Sequence, residues 1–92
     1  MTTVVNIKTD PYDVYIGRAG KGQDGYFGNP CKDGTREENI AEFKEYFHYR
    51  MAYDATFRHR VITELKDKRL GCFCKPLPCH GDIIAEYLNN LT

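Results

Sequence analysis

The chain has 92 residues and a mass of 10.6 kDa, enough for one modest hydrophobic core and too little for two. Apolar residues make up 41% and charged residues 28%, with a mean hydropathy of −0.59, which excludes a disordered or membrane-embedded chain. Thirteen basic residues are matched by thirteen acidic ones, and this zero balance speaks against a protein that grips nucleic acid through its phosphates.

The N-terminal Met-Thr-Thr-Val-Val-Asn-Ile lacks the charged start and long apolar core of a secretory signal, so a cytoplasmic setting without membrane association is expected. In such a reducing compartment the four cysteines are thiols or metal ligands rather than disulfides.

Thr3 to Lys8 and Asp13 to Ile16 are short, β-branched runs separated by Thr9-Asp10-Pro11-Tyr12, which is turn chemistry. Two strands, adjacent and antiparallel, are expected. The segment from Gly17 to Gly34 then holds six of the eight glycines. Backbone without Cβ atoms can approach a ligand closely and turn N–H groups toward an anion, with Arg18 and Lys21 adding charge. No Gly-Lys-Ser/Thr ends the segment, so it is not a phosphate-binding fingerprint. Gly28-Asn29-Pro30 has the composition of a defined turn.

Thr35-Arg-Glu-Glu38 is a capping box, predicting a helix to about Arg50 with Ile40, Phe43, Phe47 and Met51 as its buried stripe. Tyr46, Tyr49 and Tyr53 flank that stripe as core edge, and exposed tyrosines are the one hint of contact with another protein, such as a host protein. Asp54 is a second cap, opening a helix with Phe57, Val61 and Leu65 inward that ends near Lys68 with basic residues in its last turn. Arg69 to Cys74 reads as the third strand. Between Arg58 and Lys75, six basic residues face only Glu64 and Asp67, a solvated face or a rim that attracts anions. After Pro76 and Pro78, expected to hold the connection extended, Cys79 and His80 start a final helix with Ile83, Ile84, Tyr87, Leu88 and Leu91 on its apolar side. The expectation is one α/β domain over residues 1–92, strand-strand-helix-helix-strand-helix, with a three-stranded sheet covered by helices.

Arg69 to Asp82 concentrates the reactive side chains. Cys72 and Cys74, two apart on a strand, should share a face. With Cys79 and His80 they offer a zinc site, or with Cys31 a set of four thiolates, although adjacent Cys79 and His80 cannot easily aim at one ion. In the competing reading Cys79 is a thiolate at a helix N-terminus, with His80 as acid or base and Asp82 as its orienter or as a helix charge. In the third, the cysteines simply fill core space. The expected site is a pocket for an anionic small molecule such as a nucleotide, built from Arg18, Lys21 and the backbone of Gly28 and Asn29 together with the helix start at Cys79, His80 and Asp82. A zinc-stabilised interaction module on Cys72, Cys74, Cys79 and His80 is the alternative.

Several blocks in order, Val14-Tyr-Ile-Gly-Arg18, Gly28-Asn-Pro30, Asp33-Gly-Thr-Arg-Glu37, Leu70-Gly-Cys-Phe-Cys74 and Cys79-His-Gly-Asp82 after Pro76 and Pro78, resemble a family of small bacterial and bacteriophage proteins catalogued as a domain of unknown function. The resemblance implies a cytosolic setting, host cytoplasm if phage-encoded. Cys31 departs from the aromatic or aliphatic residue of the family pattern, which argues against a ligand role for it. The resemblance also suggests that the Gly28-Asn-Pro loop and the Cys79-His80 end meet in space.

Overall fold

The computed structural model describes residues 1–20 and 22–91. Strand β1 (Thr3–Asn6), strand β2 (Val14–Tyr15), helix α1 (Arg36–Tyr53), helix α2 (Ala55–Leu65), strand β3 (Arg69–Cys72) and helix α3 (His80–Asn89) follow in that order, the expected α/β succession. Among the described residues, no helix is long and apolar enough to cross a membrane.

The strand pairing corrects the expected hairpin. The sheet order is β1-β3-β2 and both pairings are parallel, with Val4 and Val14 each opposite Leu70. A turn does follow β1, where the Thr9 and Asp10 N–H groups donate to the Asn6 carbonyl. The chain then crosses β3 instead of folding back. Gly71 makes this possible: a Cβ there would lie 2.5 Å from Ile7 Cγ2 and 2.8 Å from the Tyr12 ring, atoms of the crossing segment. Across β3, the Asp13 N–H donates to the Arg69 carbonyl and the Asp13 carboxylate pairs with the Arg69 guanidinium, which fixes the start of β2. Turn chemistry is local, and here the burial of β3 on both edges decided the partner.

The helices begin where their caps place them. Thr35 Oγ1 accepts from the Glu38 N–H while the Glu38 carboxylate accepts from the Thr35 N–H. Asp54 ends α1 and caps α2 through the Phe57 N–H. Helix α1 runs a turn beyond Arg50, and α2 stops at Leu65, so Lys66 is its C-cap and Lys68 lies outside it. The left-handed Asp67 (φ 62°) then turns the chain, its N–H donating to Thr2 Oγ1.

The core is aromatic. Phe43 stacks on Phe47, whose ring meets the edges of Phe57 and Tyr87, so α1 packs against both α2 and α3. Helix α3 rests on β1, where a Cβ on Gly81 would meet Ile16 and Val4 side chains. The glycine-rich segment is tied to this core by Phe27, buried beside Phe57 and covered by Tyr26, over which the Arg60 guanidinium lies 3.8 Å from the ring centroid.

Candidate functional site

The parallel strands β2 and β3 end side by side, and a cleft of about 490 Å³ opens beyond them. Its walls come from the residues just after each strand and from the first turns of α1 and α3. Crevices at the carboxyl ends of parallel strands are where α/β folds place ligands, because helix starts and flexible loops converge there.

The back wall is the start of α3. His80, 8% exposed, presents Nε2 to the carbonyls of Ile16 (2.8 Å) and Phe27 (3.2 Å), so its Nε2–H ties the end of β2 to the middle of the glycine-rich segment. The expected meeting of the Gly28-Asn29 loop with the Cys79-His80 end is therefore made by one imidazole. Its ring also meets the edge of Phe43, 5.0 Å between centroids. Burial holds the imidazole below its ordinary 6.5, against the opposing pull of the two carbonyls, which favours the neutral ring. With Nε2 carrying the proton, Nδ1 is an acceptor, 3.5 Å from Cys79 Sγ.

Cys79 is the N-cap of α3, its sulfur accepting from the Gly81 N–H at 3.3 Å. Asp82 closes the box by accepting from the Cys79 N–H at 3.1 Å, and its other oxygen pairs with Lys75. Of the two roles considered for Asp82, helix charge fits this geometry, since its carboxylate addresses backbone and Lys75. Cys79 Sγ lies 3.1 Å from Cys72 Sγ, and both thiols are buried. The Cys79 S–H, with the Cys74 and Lys75 N–H groups, draws the Cys72 thiol below its ordinary value, while Cys79 is pushed up by that same bond and by burial. The pair loses its first proton readily and its second with difficulty.

The loop side of the cleft rests on close backbone packing. A Cβ on Gly28 would stand 2.8 Å from the Gly17 carbonyl oxygen, backbone against backbone, so only glycine fits. Asn29 is buried, and its side chain is held at both ends: the amide donates to the Asn39 carbonyl and its oxygen accepts from the Cys31 N–H. It positions the loop on α1. Arg18 donates to the carbonyls of Asn29 (3.3 Å) and Cys31 (3.4 Å). Neither Arg18 nor Arg36, on the first turn of α1, has a carboxylate within salt-bridge distance among the described residues. Lys21 lies outside the described residues.

Sequence reasoning missed Arg36, Tyr15 and Phe73, all lining the cleft, and put Ile40 in the core although it is half-buried on the cleft wall. Arg36 had left a signal: a cation at the first position of a helix opposes the dipole, so something other than helix stability places it there. None of the basic residues between Arg58 and Lys75 lines the cleft. Arg60 pairs with Glu64, Arg69 with Asp13 and Lys75 with Asp82. The prolines form a turn rather than an extended link, with the Leu77 N–H donating to the Cys74 carbonyl and Asn6 Nδ2 to the Lys75 carbonyl. Among the described residues, no three side chains of His, Cys, Asp or Glu are gathered as a metal ion would need.

Comparison with known proteins bears on what this site belongs to. An enterobacteria phage T4 protein described as an uncharacterized 12.4 kDa protein in the nrdA-td intergenic region is 43% identical over 89 residues, which cover 96% of this chain and 78% of that protein. No solved structure matches. The model of a protein family matches residues 3–90, spanning every strand and helix that walls the cleft, and the chain belongs to that family, the domain of unknown function DUF4326.

Proposed function

We propose that the chain binds an anionic small molecule of nucleotide class in the cleft between β2, β3 and the starts of α1 and α3. The observation that carries this reading is the charge of the lining: two arginines and no carboxylate, in a chain whose net charge is zero. Such an excess in a recess walled by protein is focused toward the ligand rather than dissipated in solvent. The volume, about 490 Å³, lies within the range of small-molecule sites.

The lining divides the ligand's two ends. Arg18 and Arg36 offer planar donor forks suited to phosphate oxygens. At the rim, Phe73 is 52% exposed and holds its ring edge-on to Tyr15, 6.1 Å between centroids, leaving an aromatic face for a base. His80 and Asn29 fix the wall between these ends and are themselves occupied by backbone.

A thermal-shift series tests this, using nucleoside mono-, di- and triphosphates and inorganic phosphate as probes. At a concentration about 100 times Kd, a ligand adds about 2.7 kcal/mol to the folded state. The expected result is a raised melting temperature with at least one nucleotide, lost in an Arg18→Ala, Arg36→Ala double variant. No shift with any probe, or an equal shift in that variant, contradicts the proposal.

A further inference from the structure

We propose that Cys72 and Cys79 are a redox-active dithiol, reached through the cleft, that exchanges with a low-molecular-weight disulfide of the glutathione class. The inference stands on the sulfur geometry and does not rest on nucleotide binding. Both thiols line the cleft and sit 3.1 Å apart, so closing to a bond requires an approach of only about 1 Å. Neither side chain belongs to a metal-ligand cluster among the described residues.

The surroundings give the two sulfurs different parts. Cys72 Sγ is met by the Cys79 S–H, and the Cys74 and Lys75 N–H groups and the Lys75 charge pull the same way, which favours a thiolate there. Cys79 keeps its proton and faces His80 Nδ1, the ring nitrogen left free because Nε2–H is committed to two carbonyls. Arg18 and Arg36 flank the approach and suit the carboxylates of a glutathione disulfide.

The exchange balances in two steps. The Cys72 thiolate attacks one sulfur of the small disulfide; the S–S bond breaks, one thiolate leaves with the electron pair, and a mixed disulfide stands on Cys72. Cys79 then passes its proton to His80 Nδ1 and attacks Cys72 Sγ. The mixed disulfide breaks, and the second small thiolate departs, taking the proton from His80. Two cysteines are oxidised and one small disulfide is reduced to two thiols, one of them released as thiolate. The reverse sequence reduces the protein.

The test treats the full chain with oxidised glutathione, alkylates the remaining thiols and maps the products by fragmentation mass spectrometry. The expected result is a Cys72–Cys79 bond with Cys31 and Cys74 still alkylated, and the same bond in a Cys31→Ser, Cys74→Ser variant. The Cys79→Ser variant should stop with glutathione on Cys72. A bond to Cys74 or Cys31 with Cys79 left free overturns the proposal, as does a folded protein inert to oxidised glutathione or one purified with zinc held by these thiols. Should Cys79→Ser fail to fold, the map of the unmodified chain remains decisive.

Discussion

The cleft lies between two helix starts built on the same plan with different atoms. At α1 the cap is Thr35, the box is closed by Glu38, and the first helical residue is Arg36; all three are exposed. At α3 the cap is Cys79, the box is closed by Asp82, and the first helical residue is His80; cap and histidine are buried. Each cap side chain takes a first-turn N–H, from Glu38 at α1 and from Gly81 at α3, and each cap's own N–H is taken by the closing carboxylate. What differs is what the box carries: a cation free to meet a ligand at α1, and at α3 a thiol and an imidazole already engaged by Cys72, Ile16 and Phe27. One helix start presents an exposed cation to the cleft, and the other walls it with buried sulfur and imidazole.

Substitution at the first helical position should separate the two most sharply. His80→Ala removes the donor shared by two buried carbonyls and empties space beside Phe43, at a cost of about 3 kcal/mol in denaturant unfolding. At the cap position, Thr35→Ala should cost about 1 kcal/mol, the ordinary worth of a lost cap. Cys79→Ala should cost about 2 kcal/mol, since a buried sulfur is lost with the cap. Equal costs at the two caps would show that the α3 box is only a cap.

Acid should act on the two starts in sequence. His80 is held below its ordinary 6.5 when folded, so as the pH falls below that value the unfolded chain binds the proton first and stability drops. Melting temperature should therefore fall between about pH 7 and pH 5.5, and fall less in His80→Gln. Glu38 is held below its ordinary 4.5 by the Thr35 N–H, so its contribution is present above that value and is lost only as the pH falls further. The smallest effect belongs to Arg36→Ala, which should leave stability within about 0.5 kcal/mol while removing the nucleotide-dependent shift. A large stability loss there would make Arg36 a structural residue.

The features legible in the sequence were those set by local chemistry. Thr35-Arg-Glu-Glu38 and Asp54 placed two helix starts, and the spacing of Phe43, Phe47 and Met51 and of Phe57, Val61 and Leu65 gave the buried faces. The pairing of β1 and β2 was not legible, because it depends on Gly71 admitting Ile7 and Tyr12 across a strand that comes over fifty residues later. Arg18, Cys79 and His80 were singled out from their residue types, and all three line one cleft. The Gly28-Asn29 backbone was read as part of the pocket, and Asn29 does line the cleft; that its side chain ties the loop to Asn39 and Cys31 is a use no local pattern reveals. The Cys72–Cys79 pair was hidden for a similar reason: strand alternation matched Cys72 with Cys74, and only the turn through Pro76 and Pro78 carries Cys79 back to it.

Titrating a nucleotide into isotope-labelled protein and following backbone amide shifts tests whether the cleft between the two helix starts is the binding site. Binding there should concentrate the perturbations at Gly17 to Ala19, Arg36 to Ile40, Phe73 to Cys74 and Cys79 to His80, saturating together. Perturbations centred instead on the far groove of Lys44, His48 and Tyr87, or none at all, would contradict it.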